Sequence, residues 1–150
     1  MKVYIASDHA GLDLKKQIVA NLKSIFEVED LGPFAADSVD YPDYADLVCK
    51  KLKPTEASQA SLTEFGILIC GSGQGMALRA NKYAHIRAAL VYSDEIVQLA
   101  REHNNANIIC IGARFVNSET ALRWINIFEE TTFAQGRHQT RVAKVSSPTT

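Results

Sequence analysis

Residues 65–70, Phe-Gly-Ile-Leu-Ile-Cys, constrain the fold more than any other segment of this 150-residue chain. The run is almost wholly apolar and leads directly into Gly-Ser-Gly-Gln-Gly. A strand with one face in water alternates apolar and polar residues, whereas a strand of a parallel sheet is covered on both faces and stays apolar throughout. The run therefore predicts a central parallel strand, and a helix at residues 76–82 after the glycines.

Strand and helix patterns alternate along the rest of the chain. Short β-rich runs cover residues 2–6, 26–31, 88–91 and 108–111. Helical spacing joins Leu14, Ile18, Leu22 and Ile25, then Tyr44, Leu47, Val48 and Leu52; further helices are predicted after Ser93 and over residues 118–130. This order predicts a single α/β domain: a doubly wound, Rossmann-like, five-stranded parallel sheet with helices on both faces. Apolar and acidic residues alternate over residues 26–31, which predicts that this strand lies near a sheet edge.

The overall composition limits the partners. With 16 basic and 17 acidic side chains, the chain has no strong field that would attract nucleic acid or an anionic membrane. We expect residues 1–150 to form one domain, with a polar surface loop at 54–63 and a flexible tail at about 146–150. Polar residues follow the N-terminus too soon for a signal peptide, and no apolar run approaches the ~20 residues of a membrane span.

The three cysteines, Cys49, Cys70 and Cys110, are odd in number, lack CxxC spacing and lie in apolar stretches. This usage is typical of a reducing compartment, so we expect a cytoplasmic protein.

The glycine-rich segment after Cys70 can bind an anion. Its residues are Gly71, Ser72, Gly73, Gln74 and Gly75. Glycines allow successive N–H groups to face one point, and the helix that follows adds a positive partial charge. Three known loops are excluded. A dinucleotide-binding loop needs a third glycine, and a cysteine-phosphatase loop needs an arginine, at the position that Met76 occupies. A Walker loop needs a following Gly-Lys-Ser/Thr, which is absent from this segment. A tight turn without a ligand remains the alternative.

Cys70 has two interpretations. It can be a small core residue, as lone cysteines often are. It can also be a proton acceptor, because N–H donors and a helix N-terminus favour its thiolate. Cys49 and Cys110 have no such loop and are interpreted as packing residues.

Other polar residues mark a possible site. Asp8 and His9 follow the first predicted strand, and His103 with Asn104 precedes the last; we expect both pairs to converge on one sheet edge, although each alone could be a cap or turn. Arg114 follows the last strand. If residues 137–141 are helical, Arg137 and Arg141 lie one turn apart on one face with His138 beside them, a spacing that suits phosphate. A solvated basic face is the alternative.

Taken together, these segments resemble the family of ribose 5-phosphate isomerase B and galactose 6-phosphate isomerase. The matching stretches are residues 7–11, 40–45, 66–75, 80–82, 102–107 and 136–141. They occur in the family's order and cover nearly the whole chain. The resemblance implies a cofactor-independent aldose-ketose isomerase of the pentose phosphate pathway, without metal, that works as a homodimer or homotetramer with active sites shared between subunits.

The resemblance also implies roles for residues. Cys70 matches the proton acceptor and His103 the acid that opens the furanose ring. The segment from Gly71 to Gly75 matches the oxyanion loop. The matching substrate and phosphate contacts are Asp8, His9, Asn104, Arg114, Arg137, His138 and Arg141.

Two departures from the family pattern matter. Ser72 replaces a common threonine and keeps its hydroxyl. Some members carry a glutamate base at the position of Met76, whereas here that glutamate is absent and Cys70 is present. Three other functions stay open: isomerisation of a six-carbon phosphate such as galactose 6-phosphate or allose 6-phosphate, non-catalytic binding of a sugar phosphate or nucleotide, and docking of a partner on the basic C-terminal helix.

Overall fold

The computed structural model describes residues 1–54, 56 and 58–147. Five strands form one parallel sheet: β1 (Lys2–Ser7), β2 (Glu27–Asp30), β3 (Glu64–Cys70), β4 (Ala88–Val91) and β5 (Ile108–Gly112). Six helices connect or follow them: α1 (Leu12–Leu22), α2 (Tyr41–Lys51), α3 (Gln74–Ala80), α4 (Asp94–Asn104), α5 (Ser118–Glu130) and α6 (Arg137–Val145). The order in the sheet is β2-β1-β3-β5-β4, so the chain reverses its direction of winding between β1 and β3.

Burial explains this order. From Phe65 to Cys70 every residue of β3 is buried, and all of β5 is buried, because both strands have neighbours on each side and helices on each face. The residues of β2 are only half-buried or exposed, which fits its place at an edge. The prediction of an edge strand from its acidic alternation is confirmed.

Two apolar layers cover the sheet. Alternate strand residues such as Ile67 and Ile109 pack with residues of α1, α4 and α5, including Ile18 and Phe128. The opposite face of the sheet packs Leu68 and its neighbours against α2 and α3. The predicted doubly wound fold with helices on both faces is confirmed.

Three helix predictions are wrong in detail. Helix α1 ends at Leu22, and Ile25, which was placed on its apolar face, is 64% exposed in the turn that follows. Helix α2 begins at Tyr41, with Pro42 in its first turn where a missing N–H costs nothing, and Leu47 is exposed. Helix α3 begins at Gln74, not at Met76, because the left-handed Gly73 turns the chain into the helix.

The described residues of the predicted 54–63 loop form no helix or strand. Residues 55 and 57, and 148–150 of the predicted tail, lie outside the described residues. Within the described part of the chain, no helix combines the length and apolar character needed to cross a membrane.

Candidate active site

The ends of β1, β3 and β5 meet at a cleft of about 440 Å³ on the carboxyl edge of the sheet. Crevices at such winding reversals are the usual ligand sites of open α/β sheets. The cleft brings several of the predicted site residues together within one chain. It is lined by Asp8, His9, Ala10, Tyr41, Cys70, Gly71, Ser72, Gly75, Leu78 and Arg114.

Cys70 lies on the floor of this cleft, and the residue is 5% exposed. The N–H of Gly73 donates a hydrogen bond to Sγ at 3.1 Å. Gly73 has φ of +78°, and a Cβ there would lie 2.7 Å from Leu90 and 3.0 Å from the nitrogen of Gly112. Only glycine fits, so the loop conformation that points this N–H at the sulfur depends on it. A donor aimed at sulfur stabilises a thiolate, which is the form that accepts a proton.

Arg114 lies over the start of the glycine loop. Its backbone N–H donates to the carbonyl of Gly71 at 3.1 Å, and a Cβ on Gly71 would lie 3.0 Å from the guanidinium carbon. The missing side chain of Gly71 therefore lets the cation approach the loop closely. The cleft thus combines a sulfur nucleophile or base with a positive charge.

Asp8 and His9 form the wall at the end of β1. Asp8 is buried and its Oδ1 accepts from the N–H of Gly11 at 3.0 Å. The exposed ring of His9 accepts from the N–H of Val39 through Nδ1 at 3.3 Å. This bond assigns the hydrogen of a neutral ring to Nε2, which can then donate to a ligand oxygen.

Sequence reasoning missed Tyr41 and Leu78 as cleft residues. A Cβ on Gly75 would lie 2.5 Å from the ring of Tyr41, so the ring packs directly on the loop. The only sequence signal for Tyr41 was its place in the 40–45 stretch of the family resemblance. Leu78 is 67% exposed on α3 and had no signal, because an exposed leucine on a helix is common.

A second group of predicted residues forms what we call the His/Arg cluster: His103, Asn104, Arg137, His138 and Arg141. The rings of His103 and His138 stack in parallel, with centroids 4.2 Å apart. Arg137 and Arg141 are one turn apart on α6, and α6 packs against α4. Burial first, and then the charges of His103, Arg137 and Arg141, lower the pKa of His138.

The prediction that His103 and Asn104 converge on the edge that carries Asp8 and His9 is wrong within one chain. Helix α4 begins after β4 at the carboxyl edge, runs back along the sheet and ends just before β5 begins. The carbonyl of Asn107, three residues after Asn104, accepts from an N–H near the start of β3. The cluster therefore lies at the amino edge, and none of its five residues is among those that line the Cys70 cleft.

Cys49 and Cys110 are fully buried, as expected of packing residues. Burial, with Asp46 as a smaller cause, raises the pKa of Cys49 to about 12. Burial also raises the pKa of Cys110 well above its ordinary value. Neither thiol is available as a base near neutral pH.

No group of three or more His, Cys, Asp or Glu in the described ranges could hold a metal ion. The expectation that the protein needs no metal or organic cofactor stays a prediction.

The fold and cleft define an α/β domain with a thiol and a cation at the winding reversal of its sheet. A family model described as Ribose/Galactose Isomerase matches residues 3–145. A Mycoplasma genitalium protein named probable ribose-5-phosphate isomerase B is 45% identical over 95% of this chain and 92% of its own length. Ribose-5-phosphate isomerase B of Escherichia coli K12 is 36% identical over 97% of this chain and 95% of its own length.

A solved structure of the Mycoplasma genitalium isomerase B, with bound ribulose-5-phosphate, matches with a TM-score of 0.88 at 44% identity, over 97% of this chain and 93% of that chain. The isomerase B of Thermotoga maritima matches with a TM-score of 0.87 at 41% identity, over 97% of both chains. This chain belongs to the ribose/galactose isomerase family. The resemblance inferred from the sequence motifs is confirmed.

Proposed function

We propose that the protein interconverts ribose 5-phosphate and ribulose 5-phosphate through an enediolate. The observation that carries this proposal is the Cys70 thiol, which accepts an N–H hydrogen bond at the floor of the cleft. Family membership and the ribulose-5-phosphate bound to a 44% identical relative support the same substrate class.

In the proposed reaction Cys70, as thiolate, removes the proton from C2, the carbon beside the C1 aldehyde, and returns it to C1, while a proton passes from the hydroxyl oxygen on C2 to the oxygen on C1. The N–H groups of Gly71 to Gly75, together with Arg114, stabilise the negative oxygen of the enediolate. His9 donates from Nε2 to a substrate oxygen, and Asp8 accepts from a hydroxyl. The carbon skeleton is neither oxidised nor reduced overall, so the chemistry requires no redox cofactor.

The His/Arg cluster supplies the remaining functions from a second copy of the chain. His103 opens the furanose ring, Asn104 contacts the substrate, and Arg137, His138 and Arg141 hold the phosphate. The cluster and the Cys70 cleft lie at opposite edges of one sheet. A homodimer or homotetramer that brings the cluster of one subunit to the cleft of another would complete the site.

Mixing two impaired variants tests this arrangement, with turnover measured at a ribose 5-phosphate concentration far below the parent's KM, where each variant alone is slow. Cys70→Ser chains and Arg137→Ala chains are unfolded together and refolded as a mixture. If sites are shared, mixed dimers contain one intact site, and an equal mixture recovers about a quarter of the parent's turnover by statistical assortment. A mixture whose turnover equals the average of the two separately refolded variants would contradict shared sites.

The substrate is tested by a coupled assay of ribose 5-phosphate conversion, run beside galactose 6-phosphate and allose 6-phosphate. A six-carbon phosphate is the second candidate, because the family includes galactose isomerases and the cleft is open to solvent. A non-catalytic binding domain would bind these compounds without turning any of them over. We also propose a cytoplasmic location, in keeping with three free cysteines in a metabolic enzyme family.

A further inference from the structure

Arg101 lies in the last turns of α4, directly before the His/Arg cluster, and has no exposed surface. Its Nη1 donates to Oδ1 of Asn105 at 2.8 Å and to the carbonyl of Ala106 at 2.6 Å. Its Nε donates to the carbonyl of Thr131 at 3.2 Å, and its Nη2 donates to the carbonyl of Ala60 at 3.2 Å. All four acceptors are neutral.

Burying a cation that bonds only neutral groups lowers the free energy of unfolding. Buried charges are normally paired with an opposite charge, and a well-packed apolar side chain commonly gives equal or better stability. Burial, and then the charge of Arg87, lowers the pKa of Arg101 to about 10, which reflects that cost. Maximal stability does not account for arginine at this position, whereas its rigid fork of donors can fix several backbone segments at once.

The segments that Arg101 joins are those that carry the cluster. Asn105 and Ala106 directly follow His103 and Asn104, and Asn105 has the left-handed φ of +47° that ends α4. Thr131 is the first residue after α5 and begins the connection to α6.

Hydrogen bonds also fix the connection between α5 and α6 along its length. The N–H of Phe133 donates to the carbonyl of Ala60 at 2.9 Å, and the N–H of Ala134 donates to the carbonyl of Glu102 at 3.0 Å. The side chain of Gln135 donates to the carbonyl of Ser58 at 2.8 Å. Arg101 is thus at the centre of a network that joins the end of α4, the 58–60 segment and the chain leading into α6.

We propose that Arg101, held by Asn105, is a positioning residue that sets the spacing between His103 and Asn104 on α4 and the phosphate-binding side chains of α6. The inference rests on the proposed function, because it assumes that the His/Arg cluster binds the substrate. Arg101 itself, fully buried, touches neither substrate nor the reacting atoms.

The test replaces Arg101 with methionine, which is apolar and of similar length. Three quantities are measured: the Kd of ribose 5-phosphate and of inorganic phosphate by calorimetry, kcat and KM, and the rate at which iodoacetamide alkylates Cys70 without ligand. We expect both Kd values and KM to rise on the order of tenfold to hundredfold, as misplacement by about 1 Å can cause. The alkylation rate should stay at the parent's value, because the Gly73 N–H that bonds the thiol belongs to the same chain as Cys70 and lies at the other edge of the sheet from Arg101.

Val97→Ala is the matched control, since Val97 is fully buried on the same helix and belongs to the apolar core. It should lower the melting temperature without raising the Kd of phosphate. An equal rise in Kd in this control would overturn the inference, because general loosening of α4 would then explain the result.

If Arg101→Met does not fold, Asn105→Gly tests whether Arg101 positions the His/Arg cluster. Glycine adopts the left-handed conformation of Asn105 without strain, so the turn is kept while the acceptor for Arg101 and the donor to Gln59 are lost. We expect the same rise in Kd, smaller in size. If the parent isomerises ribose 5-phosphate and neither variant changes its Kd, the role of Arg101 is wrong and the proposed function stands. If the parent neither binds nor converts any sugar phosphate, both proposals are wrong.

Discussion

The two edges of the sheet hold their candidate site residues by different means. At the carboxyl edge, Asp8 directly follows β1, Cys70 ends β3 and Arg114 is the second residue after β5. Hydrogen bonds of the backbone fix the glycine loop there. At the amino edge, the His/Arg cluster lies on α4 and α6, beside a buried side-chain network around Arg101. One group of candidate residues is thus part of the sheet, and the other lies on helices packed against it.

This contrast has a functional consequence. A base that must meet a particular carbon benefits from the rigidity of strand ends and backbone donors. In the proposed shared site, the phosphate-binding surface must reach another subunit, and peripheral helices can carry it. If the two regions act separately, substitutions in one should leave the properties of the other unchanged.

The largest effect is expected at the carboxyl edge. Cys70→Ser replaces the thiol by a hydroxyl that is hardly ionised near neutral pH, so proton abstraction should fall on the order of 10²- to 10⁴-fold. Binding of a non-reacting sugar phosphate should survive, because the His/Arg cluster is unchanged. Turnover and the Kd of that ligand are measured on the same preparation.

Cys49→Ser and Cys110→Ser are the controls, because both thiols are fully buried. They should lower stability and leave turnover per folded molecule close to the parent's. Iodoacetamide should inactivate the parent through Cys70, and bound sugar phosphate should slow that reaction. If Cys70→Ser keeps most of the parent's turnover, Cys70 is not the base and a carboxylate such as Asp8 becomes the candidate.

The second prediction addresses the amino edge. In the proposed site, Arg137→Ala and Arg141→Ala would each remove a charge-assisted hydrogen bond to phosphate, which should weaken substrate binding by about 1.5 to 3 kcal/mol. KM should rise more than kcat falls. Lys144→Ala is the matched control, because it removes an exposed cation from the last turn of the same helix. A KM for both arginine variants equal to that of Lys144→Ala would contradict the phosphate assignment.

The third prediction compares one glycine in each region. Gly73→Ala places a Cβ against Leu90 and Gly112 at a positive φ, and should cost about 1 to 3 kcal/mol of stability while slowing the alkylation of Cys70. Gly136 also has a positive φ, of +54°, but nothing lies within 4 Å of its Cβ position. Gly136→Ala should therefore destabilise less and leave the alkylation rate unchanged. Equal alkylation rates in the two variants would remove the role assigned to the Gly73 N–H.

The carboxyl edge was predictable because its signals are local in the sequence. A strand covered on both faces is apolar throughout, so β3 was predicted as residues 65–70 and observed as Glu64–Cys70. Parallel strands necessarily bring their carboxyl ends to one edge, so the order of strands and helices along the chain is enough to place Asp8 near Cys70.

The amino edge was harder to predict. His103 ends a helix that runs back across the sheet, and only the path of α4 shows that it lies away from Asp8. The partners of Arg101 are up to 41 residues away in the sequence and are mostly backbone carbonyls, which carry no sequence signal. Ile25 shows the same limit on a smaller scale, because apolar spacing did not reveal that α1 had already ended.

The smallest effect is expected from the pH dependence of the amino edge. The pKa of His138 is lowered from 6.5 by burial and by the charges of His103, Arg137 and Arg141. The unfolded chain therefore binds a proton at a higher pH than the folded chain does, and stability should fall as the pH drops through 6.5 towards the lowered value. His138→Gln should remove this part of the pH dependence, seen as a smaller difference in the urea midpoint between about pH 7.5 and about pH 5.5.

The control is His85→Gln. The Nε2 of His85 lies 3.0 Å from the carbonyl of Cys49, near the other side of the sheet, so this substitution should leave the contribution of His138 intact. Bound phosphate should oppose the effect, because a dianion beside His138 favours its protonated form. If His138→Gln has the same pH dependence as the parent with and without phosphate, the ring neither senses the arginines nor lies beside the bound phosphate.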